Sequence, residues 1–590
     1  MPINILFVMK KFFIAFAIFV FVNQCFAQWV SPGDGQSYTL ESLCTVAPSA
    51  VQASTSGYYV ISQNLTLSAG DLLTLESSAV SVVVSSGVTL TISGTLQTET
   101  RNQNIVFQGD SAQSNYFELR FEDALQNNLS HIHFRYCQGI KLISSDMTID
   151  SCEFDHFSNH VISYMNCNPV IRNSYFHDNQ VCAIQSAVNA DGCPKILNNV
   201  FYNNVLANTN NPQINIGPGT TDTIFIIGNR IEGAASNMSG GIGIMNMYNP
   251  AVTKVLLKDN VITNNRYGYT QNGYRISSEI YDNQFIDNNL EATPNNGGSG
   301  ISIYGYDTTC AAKLRRNLIT GNLWGVTAIY YHHLDMGTEE DYGYNVLYNN
   351  GNGGVDYELY NNANSSMNAV GNYWGCDNNA AAEDVIFHQA DNPSYGLVNY
   401  LPIYVIEPEI LSFDFLLENN PGLAYPDYYN NLYGNITEGD TILFHIWGCV
   451  LPDLSNLKPT IIRPLGVSVS PSEDEGQNFW LTPIIYTAST PHQTFREYVV
   501  HFIIEAGVPE NALTKINLAP NPVTQGFFTM ENPTEENLNW QIFTSTGQCV
   551  MFGEAQPGMN RIATKTLKTG MYLVYIQKDN VLVTRKLIVR

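Results

Sequence analysis

A short phrase that recurs through the middle of the chain limits what the chain can fold into. It runs Asn, any residue, an apolar residue, then a polar turn rich in Asn and Asp. Copies begin at Asn173, Asn199, Asn260, Asn283, Asn317 and Asn345, with weaker ones at Cys152 and Asn229 and a last one at Asn372-Tyr-Trp-Gly375. Successive starts lie 21, 26, 30, 31, 23, 34, 28 and 27 residues apart. A period of this size marks stacked repeats, each too small to bury an apolar face alone. Within each period the apolar residues alternate as in short strands rather than recurring at helical spacing. Short strands, one repeat per coil and no crossover helix predict a parallel β-solenoid. The uneven spacing predicts coils of constant core joined by loops of different length.

The asparagines fit that architecture. Between residues 166 and 400 there are 41 Asn and 4 Lys. Asn tolerates the left-handed backbone of sharp corners, and stacked Asn side chains can hydrogen-bond from coil to coil. Regular Phe, Ile, Val and Tyr positions supply a burial face, which argues against a disordered low-complexity tract.

Toward the N-terminus, alternating segments from Tyr59 to Leu67, Asp71 to Leu75, Val80 to Val84, Val88 to Ile92 and Ile105 to Gln108 begin the solenoid. Gly70-Asp71-Leu72-Leu73-Thr74 and Gly87-Val88-Thr89-Leu90-Thr91-Ile92-Ser93-Gly94 resemble the opening coils of extracellular right-handed β-helix proteins. The phrase Asn372-Tyr373-Trp374-Gly375 resembles the end of β-helix domains of the pectate-lyase-like and copper-site-assembly type. The resemblance covers roughly residues 45–400. It implies the right-handed parallel β-helix fold and no particular activity, since this fold carries lyases, hydrolases, adhesins and binding proteins.

The chain therefore reads as all-β, with the β-helix over 28–405. Residues 406–510 have fewer Asn, more Pro and alternating runs such as Thr441 to Trp447, which predict an Ig-like β-sandwich. Residues 511–590 form a separate small β-sandwich. There, Ala519-Pro520-Asn521-Pro522, Gly547-Gln548-Cys549-Val550, Gly570-Met571-Tyr572-Leu573 and the terminal Arg585 to Arg590 occur in order. That order resembles the type A sorting domain of type IX secretion, although Ala519 stands where Tyr is frequent. The resemblance implies recognition by the type IX secretion machinery, transit across the outer membrane of a Gram-negative bacterium, and attachment to the cell surface or release.

The N-terminus agrees with export. Lys10 and Lys11, the apolar run Phe12 to Val22 and the segment Cys25-Phe26-Ala27 read as a signal peptide over 1–27, cut after Ala27. The run is short of the roughly 20 residues that span a bilayer, so the protein is not expected to cross a membrane. Cleavage removes 2 of 27 Lys and Arg and none of 52 Asp and Glu, a mature balance of 25 − 52 = −27. Such a surface repels nucleic acid and anionic polysaccharides and suits neutral glycans or cations. Of the 11 Cys, 137, 152, 167, 182 and 193 cluster. They read equally as coil-bridging disulfides, which export permits, or as small buried thiols.

None of the polygalacturonase-like signatures occurs in the β-helix, and basic residues to abstract a proton are scarce. Two polar clusters stand out: Asp150, Glu153, Asp155 and His156; and His332 and His333 with Asp335, Glu339, Glu340 and Asp341. The second is predicted on a protruding loop. Its histidines are candidate binding residues, and its carboxylates are candidate Ca²⁺ ligands without ordered ligand spacing. No other cofactor is expected.

An aromatic pattern accompanies them. Strands starting at Gly300, Gly325 and Gly354 carry Tyr306, Tyr331 and Tyr360 six residues on. Equal offsets in a solenoid predict a column, either exposed and able to stack on sugar rings or stacked inside the core. Three readings follow: a non-catalytic protein binding a glycan or partner, a polysaccharide lyase or glycoside hydrolase with an unrecognised site, and a structural stalk or adhesin. Exposed tyrosines favour the first and buried ones the third. A pocket joining a basic residue with two carboxylates favours the second.

Overall fold

The structure is a computed structural model. It describes residues 28–590 except 77–80, 99–104, 111–115, 125–126, 188–189, 235–236, 249–250, 292–297, 353, 425–430, 448–451, 481–482, 506–511 and 579–580. The expected signal peptide lies outside the described residues, as does Cys449.

Among the described residues, three long sheets run through the first part of the chain. Their strands pair parallel from coil to coil, apart from the antiparallel start of the second sheet. The first sheet has 14 strands and passes through Gly240–Asn246, Tyr269–Gly273, Ser299–Gly305, Trp324–Tyr330 and Leu359–Ala363. The second has 13 and includes Ile132–Arg135, Glu153–Asp155 and Tyr175–His177. The third has 14 and includes Ile276–Tyr281, Ala311–Arg315 and His333–Asp335. Between the two ends of the solenoid, each coil contributes one strand to each sheet, in the order third, second, first. The chain is a right-handed parallel β-helix.

Alternation within each strand sends every second side chain into one continuous core. Inside the second sheet, Phe134, Phe154, Phe176 and Phe201 stack in a file, with centroids 5.6, 4.5 and 4.9 Å apart. Helix α1 (Leu40–Val46) lies at the N-terminal end of that core and buries Leu40 and Leu43. Thr39 and Ser42 cap it reciprocally.

The repeated phrase makes the two corners that flank the second sheet. At one corner, Asn199, Asn229, Asn260, Asn283, Asn317, Asn345 and Asn372 form a buried ladder. Each of the first six gives both its backbone N–H and its Nδ2 to the next Oδ1 at 2.8–3.0 Å. Five residues after Asn260, Asn265 opens the equivalent run through Asn288, Asn322 and Asn350 at the other corner. The residue before each ladder Asn takes left-handed backbone, as at Asp259, Asp282, Asn264 and Asn349, with φ of 55, 58, 56 and 55°. Short polar residues reach that conformation at low cost.

Cys137, Cys152, Cys167, Cys182 and Cys193 are buried free thiols. No disulfide forms among the described residues.

Two compact units divide the chain: residues 1–410 with 463–469 and 488–496, and residues 411–462, 470–487 and 497–590. In the second unit, Phe413, Phe415, Phe444 and Phe502 form an aromatic core. There Thr441–Trp447 runs parallel to Phe495–Glu505. The C-terminal segment folds into a three-stranded and a four-stranded antiparallel sheet around Phe528, Trp540, Ile542, Val574 and Leu587.

Candidate functional site

The outer face of the first sheet holds a cleft of about 480 Å³. Its floor comes from the period of the strands. Register aligns Thr270, Ser302 and Thr327 in one outward column, and Asn272, Tyr304, Ile329 and Asn362 in the next. The column positions are therefore small and hydroxylated on one row, aromatic and amide-bearing on the other. Ser299 and Thr327 share a hydrogen bond at 2.6 Å. Asn272 Oδ1 is buried in the floor without a hydrogen-bond partner among the described residues.

Aromatic rings bound the cleft. Trp324 stacks flat on Tyr360, with centroids 4.5 Å apart and planes 11° off parallel, and Tyr360 stacks in turn on Phe387 at 4.5 Å. The register partner of Trp324 on the other side is the small Ser299, and both residues line the cleft. Tyr304 meets Tyr330 edge-on at 5.1 Å and Tyr306 at 5.4 Å, and Tyr306 reaches Tyr274 at 5.2 Å. Burial and the neighbouring tyrosines push the Tyr304 hydroxyl up to about 12, so it stays a neutral donor. Arg266 is the one charged side chain among the described lining residues; it pairs with Glu291 at 3.5 Å.

The expected tyrosine column takes a different form. Gly305 pairs with Tyr330, so Tyr306 and Tyr331 follow one another on adjacent coils, but Tyr360 pairs with Thr327, four positions back. The entry to the first sheet is a column of Gly241, Gly268, Gly300 and Gly325, where a Cβ would strike the carbonyl of the next coil. Glu358, not Gly354, follows Gly325 in that column. The short hairpin of Gly351–Asn352 and Val355–Asp356 is inserted before it. All three tyrosines are on the outer face: Tyr331 is exposed and Tyr306 and Tyr360 are half-buried. The lining residues Tyr304 and Trp324 escaped the sequence reading, although period-two alternation from Gly300 places Tyr304 outward.

The second polar cluster is divided by the sheet. His332 is buried; burial drives its imidazole down to about 4, against a weak bond to Asn361 Oδ1 at 3.4 Å. His333 is exposed. Asp335 and Asp341 both clasp the buried guanidinium of Arg315, Asp335 through both oxygens at 3.0 and 2.9 Å and Asp341 at 3.0 Å. Lys313 reaches Asp341 at 2.7 Å. Arg315 first and then Lys313 hold the Asp341 carboxyl at about 2. Glu339 and Glu340 are exposed on the loop between them. Cations of the chain thus occupy two of the four carboxylates expected to hold Ca²⁺.

The first cluster also separates. Asp150 belongs to the third sheet and pairs with Arg172 at 2.8 Å. Glu153 and Asp155 instead meet His133, Arg135 and His177 from neighbouring coils of the second sheet, and His156 pairs with Asp155. These cross-coil partners lie about one coil away in sequence, too far for a local motif to reveal.

Residues 64–217 match the family described as "Right handed beta helix region". Residues 270–380 match "Protein of unknown function (DUF1565)". Residues 517–590 match "Secretion system C-terminal sorting domain". The chain is a right-handed β-helix protein with a type IX secretion sorting domain. The sorting domain marks it for secretion. Among solved structures, the chain is similar to the periplasmic alginate epimerase AlgG at 14% identity, over 62% of this chain and 84% of that one, with a TM-score of 0.41. Two variant forms of that enzyme give TM-scores of 0.39 and 0.42 at 13% and 14% identity over the same shares. No curated protein matches the chain. No helix among the described residues is long and apolar enough to cross a membrane.

Proposed function

We propose that the secreted β-helix binds a neutral polysaccharide along the cleft of its first sheet and leaves it uncleaved. The observation that carries this reading is Trp324: Tyr360 braces its ring, and the ring lines a cleft floored by hydroxyls and amides. Sugar rings offer an apolar C–H face to an indole and hydroxyls to Thr, Ser and Asn. Tyr306 and Tyr331 extend the aromatic surface beyond Tyr304 and Tyr330. No carboxylate is among the described lining residues, which disfavours the paired-acid and Ca²⁺-assisted chemistries of this fold. The acidic balance of the chain further favours an uncharged ligand. In this reading residues 28–405 are the binding body, the signal peptide is cut after Ala27, and the protein acts outside a Gram-negative cell.

The test is a screen of the mature protein against neutral and acidic polysaccharides, with and without Ca²⁺, following both retention and product. Retention on a neutral glycan without new reducing or unsaturated ends is expected. Product formation would replace the binding reading with the enzymatic one. Failure to bind any glycan would leave the structural role.

A further inference from the structure

On the outer face of the second sheet, strands Ile132–Arg135, Glu153–Asp155 and Tyr175–His177 align His133 with Glu153 and Tyr175, and Arg135 with Asp155 and His177. Outward side chains on successive coils of a parallel sheet stand about 4.8 Å apart, so an imidazole and two carboxylates here converge from three positions on two strands. One ligand atom each from His133, Glu153 and Asp155 lies within 4.8 Å of the others. We propose that these three residues bind a divalent transition-metal ion of the Zn²⁺ class, on a face of the solenoid separate from the cleft and independent of what the cleft binds.

Three features support a built site rather than a chance acidic patch. First, each carboxylate has one oxygen fixed and one presented. Asp155 Oδ1 receives His156 Nδ1 at 2.6 Å and Arg135 Nε at 3.3 Å, while Oδ2 faces His133 Nε2 at 2.5 Å. Glu153 Oε1 meets His177 Nε2 at 3.1 Å, while Oε2 faces His133 Nδ1 at 3.7 Å. His177 is in turn oriented through Nδ1 by Asp178 at 2.9 Å, and Asp178 by Asn203 at 2.5 Å. Outer groups that fix ligand orientation in this way raise affinity at metal sites.

Second, the three residues reach one ion by side-chain rotation alone, since their ligand atoms already lie within 4.8 Å of one another. Ligands at about 2.0–2.2 Å from a tetrahedral Zn²⁺ are roughly 3.3–3.5 Å from one another. Asp155 Oδ2 faces Nε2 and Glu153 Oε2 faces Nδ1 of the one ring, so an ion on Nε2 opens the 2.5 Å pair by about an ångström and draws the Glu153 side chain across from Nδ1.

Third, the charge is unbalanced. Among the described residues, the carboxylates of Glu153, Asp155 and Asp178 pair with histidines and with one permanent cation, Arg135 on Asp155, a surplus that one divalent ion neutralises. An imidazole with two carboxylates suits Zn²⁺ and its neighbours better than Ca²⁺, which takes six to eight oxygens. Three protein ligands would leave one position open to water.

The full secreted chain, stripped with a chelator and titrated calorimetrically with Zn²⁺, tests this. One Zn²⁺ per chain at micromolar Kd or tighter is expected, with Ca²⁺ at least about 100-fold weaker. His133→Ala and, separately, Glu153→Gln are each expected to weaken Zn²⁺ by about tenfold or more, while His333→Ala leaves it unchanged. Glu153→Gln preserves side-chain shape and decides the matter if His133→Ala does not fold. Absence of stoichiometric Zn²⁺ binding, or binding retained in both variants, would overturn the proposal.

Discussion

Asn350 donates its Nδ2 to Glu358 Oε2 at 2.5 Å, so the asparagine ladder at one corner ends on a buried carboxyl group. Burial pushes this group up to about 8 from 4.5, and the bonds from Asn350 offset part of the rise. Between those two pH values the folded chain holds a proton that the unfolded chain has released. Stability is therefore present in full below pH 4.5 and falls as pH rises toward 8. At about 1.4 kcal/mol per pH unit the loss is on the order of 3–5 kcal/mol. Thermal midpoints of the wild type are expected to fall across this range, and Glu358→Gln, which keeps the acceptor without the charge, is expected to flatten the slope and to be the more stable form at pH 9. Parallel slopes for the two proteins would contradict this.

Within the other ladder, Asn317 accepts from Asn283 N and Nδ2 and donates to Asn345 Oδ1 and Ile280 O. Asn317→Ala leaves several of these buried groups without partners, at about 1–3 kcal/mol each. A loss of roughly 3 kcal/mol or more is expected in urea unfolding. Asn349, at φ 55°, contributes a backbone conformation rather than a rung, so Asn349→Gly is expected to stay within about 1 kcal/mol of the wild type.

Arg315 joins Asp335 and Asp341 from a buried position. Ca²⁺ is expected to leave the thermal midpoint of the wild type unchanged, because the guanidinium already fills the space between the carboxylates. Arg315→Met is expected to destabilise by about 1–3 kcal/mol, since the carbonyls of Leu314 and Asp335 lose their donor while the two partly exposed carboxylates regain water. Ca²⁺ is expected to restore part of that loss, readable as a midpoint shift in the variant alone.

Much of the solenoid was legible because the phrase Asn-x-apolar serves two physical ends at once. Asn260 is a rung, Ile262 is core, and Asn264 and Asn265 make the next corner, so one motif encodes the strand of the second sheet and both of its corners. The site was less legible because it is assembled across coils. Counting from Gly354 misplaces Tyr360, since the hairpin at Gly351–Asn352 shifts the register and Glu358 takes the place after Gly325. His133 joins Glu153 and Asp155 only through pairing between coils. Such neighbours are set by loop lengths, which vary freely in a solenoid.

The central claim is that the Trp324 cleft holds a glycan. The direct measurement is the Kd of the mature protein for the best-retained neutral polysaccharide, compared with Trp324→Ala and with His333→Ala. Trp324→Ala is expected to weaken binding about tenfold or more, from loss of a stacking ring worth about 0.5–1.5 kcal/mol beyond its buried area, with the fold intact by circular dichroism. His333→Ala is expected to bind as the wild type does. Equal affinity of the wild type and the Trp324→Ala variant would contradict the assignment of the cleft.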